Sequence, residues 1–311
     1  MRSEDPIFIC GALRSGSTLF HLMLNSHPEI SNPGEFDFLF DKMTESSGYP
    51  DIDQYISYLQ KDRIFNTKSL QIRSNLSYPE LIKSFVAQKF ESGNHLALNI
   101  HRNFHHAYSI FPTAKYIHLI RDPRDVARSS IGMNWSGNVY YGVDHWLDTE
   151  ESWDKLSGVI NPEQTLEVRF EDLIANTHAV LKKVSDFLGV QYTDEFYSYQ
   201  ENSSYSKPDI TLTYQWKRKL SKREIQNVEY KSIKFMGPRG YDKSDYPLSR
   251  PGSFERLFLY IKNKWYKFTM GVERYGLYIY LMYRVTGRLG LHSLHKKHKT
   301  IVSTIDKDYL K

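Results

Sequence analysis

The chain has 311 residues and a single cysteine, Cys10, so it cannot carry a disulfide framework of its own. A lone cysteine inside an apolar run fits a reducing compartment. No apolar run approaches the roughly 20 residues that a membrane-spanning helix needs, and no charged-then-apolar signal segment opens the sequence. The expected location is therefore cytoplasmic, with peripheral contact at a membrane left open by the tail described below. Internal repeats and low-complexity stretches are also lacking, which argues against a solenoid or a disordered linker. Neither sign of charge dominates, since 41 Lys and Arg stand against 36 Asp and Glu, and no nucleic-acid partner is expected. The imbalance is local. Residues 250–311 hold 13 Lys and Arg against 4 Asp and Glu, a net +9, whereas residues 1–249 hold 28 against 32, a net −4. His292, His295 and His298 lie among lysines without a nearby thiol or carboxylate, so no metal site is expected there.

What is present begins at residues 7–24, which read IFICGALRSGSTLFHLML. An apolar run, then small polar residues, then apolar residues at helical spacing predict strand, tight loop and helix. Gly11 and Gly16 bracket four residues and Ser17-Thr18 follow, so the loop has the frame of a phosphate-binding loop with Ser17 where a nucleotide triphosphatase has lysine. The glycines let successive N–H groups turn inward, and the new helix adds the partial positive charge of its N-terminus. The cation is Arg14, whose planar fork matches a tetrahedral oxyanion through two parallel bonds.

Residues 115–130 repeat the logic. A strand ends at Arg121, Asp122 can cap the next helix, and Pro123 suits its first position. Ser129 then lies two turns in, so Arg121 and Ser129 can grip one phosphate from two sides. Residues 165–173 read as a strand turning into a helix, followed by a helix over 180–188 closed by Gly189. An amphipathic helix over 143–159 carries Trp146 and Trp153 as core residues. Between the two loops, Glu35 follows Pro33-Gly34 beside Phe36, Phe38, Leu39 and Phe40, a low-polarity setting expected to raise its pKa and suit it to proton transfer. Its alternative role, shared with Asp37, is to complement a helix dipole. Residues 96–101 form a strand ending at His101, a competing base, and helices are expected over 52–62 and 78–91. Alternating strands and helices predict a three-layer α/β/α fold with a mainly parallel central sheet.

The loop in its Arg-Ser-Gly-Ser-Thr-Leu form resembles that of sulfotransferases using 3′-phosphoadenosine 5′-phosphosulfate, notably Golgi tyrosylprotein sulfotransferases and many bacterial members. The resemblance implies that Arg14, Ser15, Gly16, Ser17, Thr18 and Leu19 bind the 5′-phosphosulfate and that Arg121 and Ser129 bind the 3′-phosphate. Counted from Arg14, Glu35 lies where tyrosylprotein sulfotransferases carry their catalytic glutamate, and Glu-Phe-Asp-Phe looks like the Glu-x-His-Phe of heparan 3-O-sulfotransferases. The Ile-His ending at His101 resembles the Thr-His of cytosolic phenol and steroid sulfotransferases, although their lysine two residues earlier is Asn99 here. A Gly-Asp-Lys-x-Pro run of closer relatives is missing as well. Residues 170–172 look like the family's Tyr-Glu-Asp with Phe170 in place of tyrosine, which keeps stacking on adenine and loses a phenol hydrogen bond. Lys207, shortly before Trp216, is the candidate for the family's basic loop over the 3′-phosphate. Residues 235–241, FMGPRGY, resemble the run that ends the catalytic domain.

The resemblance thus covers most of residues 1–241 and implies transfer of a sulfuryl group to a hydroxyl-bearing acceptor, with no metal. The alternative is a P-loop kinase using ATP and Mg²⁺, and a further rival is a non-catalytic nucleotide- or membrane-binding protein. The expected division is a catalytic domain over 1–249 and a basic amphipathic helical extension over 250–311. In that extension Phe254, Leu257, Phe258, Ile261, Trp265 and Phe268 share one helical face and Arg256, Lys262, Lys264 and Lys267 occupy others. Val272, Tyr275, Ile279, Met282 and Tyr283 form a second stripe. These faces could pack on the catalytic domain, on a second copy in a homo-oligomer, or on an anionic membrane surface.

Overall fold

The computed structural model describes residues 5–44, 48–90, 94–203 and 207–309. Five parallel strands run in the order β2-β3-β1-β4-β5, with β1 Ile7–Cys10, β2 Ile30–Ser31, β3 His95–Ile100, β4 Lys115–Ile120 and β5 Thr165–Arg169. The central strand β1 is buried along its whole length, which explains why it reads as an unbroken apolar run and not as an alternating one. Period-two geometry sends its side chains to opposite faces. Phe8 and Cys10 join Leu98, Tyr116 and Trp153 under the helices Ile52–Leu59 and Tyr78–Ala87. Ile7 and Ile9 join Leu119, Val168, Phe20 and Leu181 under the helices Ser17–Asn25 and Thr177–Leu188. Three layers result.

Strand order also places the site. The chain leaves β1 toward the β2 edge but leaves β4 toward the β5 edge, so the loops after β1 and β4 diverge at neighbouring strand ends. In open parallel sheets that switch point opens a crevice. Asp122 caps the helix Pro123–Gly132, its carboxylate accepting from the Arg124 N–H at 2.9 Å with Pro123 at the first turn, and Gly189, at φ +80°, closes the helix Thr177–Leu188.

One boundary differs from the sequence reading. The helix expected over 52–62 stops at Leu59, and a second one, Arg63–Thr67, starts after Asp62, whose carboxylate accepts the Phe65 N–H at 2.8 Å. An aspartate competes well as a cap, so it broke what periodicity alone had joined. The helix expected over 78–91 runs Tyr78–Ala87, and Glu91 lies outside the described residues.

The extension forms three helices, Ser253–Tyr275, Leu277–Arg288 and His292–Tyr309. The first docks through polar groups. Asn263 is buried and its Oδ1 accepts the Gly137 N–H at 2.7 Å, the Asn138 amide donates to the Leu259 carbonyl at 2.8 Å, and the Tyr266 hydroxyl donates to Asn134 Oδ1 at 2.7 Å. Its apolar stripe therefore does not pack on the catalytic part. Phe254, Leu257, Phe258, Ile261 and Trp265 are exposed. The second stripe turns inward within the extension, where Tyr283 stacks on His295 at 4.9 Å and Tyr275 stacks on Tyr280 at 6.4 Å.

Candidate active site

The loop after β1 presents its amides because other elements hold its carbonyls. His101 Nδ1 lies 2.8 Å from the Gly11 carbonyl, His145 Nε2 3.0 Å from the Leu13 carbonyl, and Arg121 Nη1 3.0 Å from the Arg14 carbonyl. The donors come from three separate places, just past the ends of β3 and β4 and on the helix Asp144–Ser157, so the carbonyls are drawn outward and the concave side is left to N–H groups. Arg14 itself sits at φ +72°, a left-handed conformation uncommon for a residue with a long side chain and held by those contacts. Gly16 occupies the N-cap of the helix Ser17–Asn25 at φ +91°, without a capping side chain, and a Cβ there would come within 2.2 Å of the Phe170 ring. The first-turn amides of that helix consequently stay available to an anion.

Arg14 and Arg121 line one cavity of about 1090 Å³ together with Gly16, Ser17, Thr18, Leu19, Glu35, Ser129, Phe170 and Lys207. Arg14 Nε donates to Ser129 Oγ at 2.9 Å, so the hydroxyl expected to partner Arg121 bridges to the loop arginine. Arg121 Nη2 donates to the Leu212 carbonyl at 2.7 Å, and its guanidinium lies 4.3 Å from the centre of the Phe170 ring. Burial pulls its pKa down and the nearby Asp125 opposes this. Phe170 is itself buried. With Gly16 and Arg121 both against it, the ring is a platform that fixes those two groups.

Ser15 and His101 lie behind the cavity wall, both buried. Because a carbonyl can only accept, His101 Nδ1 must carry the proton that faces Gly11, and the neutral ring then has a bare lone pair on Nε2. Among the described residues that atom has no hydrogen-bond partner, and it lies 3.8 Å from Glu35 Oε1. The two rival bases are thus neighbours. Backbone pairing brings them together: the Phe36 N–H donates to the Asn99 carbonyl at 2.9 Å, the Asn99 N–H to the Gly34 carbonyl at 3.0 Å, and Asn99 is two residues before His101. Asn99 Oδ1 accepts from the Asn32 side chain at 3.2 Å. The low-polarity surround expected for Glu35 is absent. Phe36, Phe38, Leu39 and Phe40 go into the core, while 43% of the Glu35 side chain is exposed. Asp37 is buried and accepts the His101 N–H at 2.6 Å, so it braces the histidine, and burial raises its pKa against the pull of His101 and Arg102.

A model described as the Sulfotransferase family matches residues 6–194, more than half of the chain. The chain belongs to the sulfotransferase family. An uncharacterised protein of Aquifex aeolicus is 27% identical over 212 residues, which are 63% of this chain and only 27% of that protein. An omega-hydroxy-beta-dihydromenaquinone-9 sulfotransferase of Mycobacterium bovis is 22% identical over 272 residues, covering 65% of this chain and 70% of that one. Among solved structures, the sulfotransferase domain of the Synechococcus PCC 7002 olefin synthase superposes with a TM-score of 0.52 at 19% identity, over 78% of this chain and 98% of the domain. At that identity the likeness speaks for the shared sulfotransferase fold alone.

Other groups at this candidate site carry little sequence signal. Arg63 and Arg128 also line the cavity. Arg63 becomes visible only once Asp62 is read as a cap, and Arg128, which donates to Gln215 Oε1 at 2.8 Å, lies one residue before the predicted Ser129. Lys68 Nζ donates to the Pro33 carbonyl at 2.6 Å beside Glu35, and burial lowers its pKa while Glu35 opposes this. The run over 235–241 serves the framework. Its Tyr241 hydroxyl donates to Glu171 Oε2 at 2.9 Å, and Glu171 Oε1 accepts the Asp122 N–H at 3.0 Å, tying the run to the start of the Arg121 helix.

Proposed function

We propose that this protein transfers a sulfuryl group from 3′-phosphoadenosine 5′-phosphosulfate to an acceptor hydroxyl. The observation that carries the reading is the single cavity that joins an amide cradle, with its three carbonyls tied outward, to both Arg14 and Arg121. One buried donor of a cavity-lining residue, Arg121 Nε, has no hydrogen-bond partner among the described residues, which suits a ligand rich in anionic oxygens. The donor, when bound, supplies an activated sulfuryl group.

This chain's own residues do the rest. The amides of residues 16–19 and the Arg14 guanidinium hold the phosphosulfate end and stabilise charge that moves onto the bridging oxygen, the kind of preorganised contribution worth about 10²–10³ in rate. Arg121 and Ser129, with Lys207 at the rim, hold the 3′-phosphate, and Phe170 braces Arg121. Glu35 takes the proton of the acceptor hydroxyl on its carboxylate. His101, fixed by the Gly11 carbonyl, turns Nε2 toward Glu35 and acts as a positioning residue that can share that proton. A kinase reading is disfavoured because the loop position that needs lysine is Ser17.

Calorimetry tests the donor: 3′,5′-ADP should bind at least about tenfold more tightly than ATP with Mg²⁺, and the reverse order would end this reading. Single-turnover transfer tests the base. Glu35→Gln should lose about 10²–10⁴ in rate and His101→Ala less; full activity in both variants would remove the mechanism.

A further inference from the structure

The helix Ser253–Tyr275 is mounted inside out. Asn263 is buried against residues 137–138, and it lies two positions from both Ile261 and Trp265, a rotation of about 200° on a helix. The face opposite Asn263 therefore carries Phe254, Phe258, Ile261 and Trp265, with Phe254 90% and Trp265 66% exposed. This orientation is fixed and not a loose end. The Asn263, Asn138 and Tyr266 hydrogen bonds set the rotation, and the Arg223–Glu255 ion pair pins the first turn. The helix Leu277–Arg288 adds exposed Leu277, Leu281 and Val285, which recur every four residues along one side.

We propose that this surface docks on an anionic lipid bilayer, with both helices lying in the interface. Charge chooses the occupant. Lys262 and Lys264 are exposed on either flank of the apolar stripe, and the extension as a whole is +9. Two of its four acids are already engaged, Glu255 with Arg223 and Asp306 with Tyr275. A second copy would bring the same +9 against it, whereas anionic headgroups attract each nearby lysine. Length fixes the mode: no helix among the described residues is long and apolar enough to cross a membrane. An apolar stripe with Trp and Phe between lysines binds in the plane of the surface. The inference uses none of the catalytic residues and stands apart from the transfer reaction.

Co-sedimentation of the full chain with vesicles is the test. Binding to vesicles containing about a third phosphatidylglycerol should exceed binding to pure phosphatidylcholine by at least about tenfold and weaken with salt. Phe258→Ser with Trp265→Ser should cost at least about tenfold in binding without moving the thermal midpoint, and Lys262→Glu with Lys264→Glu should erase the preference for anionic vesicles. The proposal is overturned if the chain stays in the supernatant with anionic vesicles, or if the double serine variant binds as before. It is equally overturned if light scattering shows a dimer that the double serine variant makes monomeric.

Discussion

Two helices of this protein carry the same kind of pattern and meet opposite fates. In the helix Asp144–Ser157, Trp146 is fully buried and donates from Nε1 to the Arg121 carbonyl at 3.0 Å, and the Trp153 ring stacks 4.0 Å from His118. In the helix Ser253–Tyr275 the apolar stripe faces away from the protein and a buried asparagine faces in. The difference lies in the surfaces they meet. The first helix packs Trp146 among the apolar side chains of Val126, Ala127, Val228 and Phe235, and the second meets the segment after the helix Pro123–Gly132, where the Gly137 N–H, the Asn138 amide and the carbonyl of Ile131 in that helix's last turn are on offer. A polar partner selects the polar face. Amphipathicity thus states which residues travel together, and the partner surface states which way they point.

The comparison breaks first at Trp146. Trp146→Ala should cost about 3–5 kcal/mol in urea unfolding, because it empties a fully enclosed site; a loss below about 1 kcal/mol would mean the two helices are not so different. Buried charge sharpens the contrast next. Glu171 is enclosed and burial raises its pKa from 4.5 to about 7. Its folded value is above its unfolded one, so the folded chain holds a proton that the unfolded chain has released, and the stability gained is complete below about pH 4.5 and lost as pH rises through 7. Relative to Glu171→Gln, wild type should lose on the order of 3 kcal/mol between pH 4.5 and 8 in parallel denaturation series; a flat difference would refute the assignment.

Smaller effects belong to the extension. Asn263→Ala strands the Gly137 N–H and should cost about 1–3 kcal/mol, with faster proteolysis near residues 250–252. Unchanged proteolysis would show that the helix is held by something else. Trp265→Ala should stay within about 0.5 kcal/mol of wild type despite removing the largest side chain type, since its ring is already exposed.

Much of the site could be read ahead of the structure because its parts are local. The glycine frame at residues 11–16, the Asp122-Pro123 helix start and the Gly189 stop each act through neighbours in sequence. What stayed hidden depends on distant chain segments. Nothing near Phe170 announces that Gly16 and Arg121 will press against it, and nothing near Glu35 shows that Asn99 will pair with its backbone and bring His101 within 3.8 Å. The apolar run after Glu35 likewise gives no hint that its rings turn away from the carboxylate.

The order of residues by itself determined the β1 loop, the family, the layered α/β scaffold and the existence of amphipathic tail helices, because backbone turns, caps and periodic burial are decided within a few residues. Only the tertiary structure decided how Glu35 and His101 divide one place, that Ser129 reaches the loop arginine, and that the tail shows its apolar side to the outside. Those outcomes rest on hydrogen-bond partners contributed by segments tens to more than a hundred residues away, and no local pattern encodes which partner will arrive.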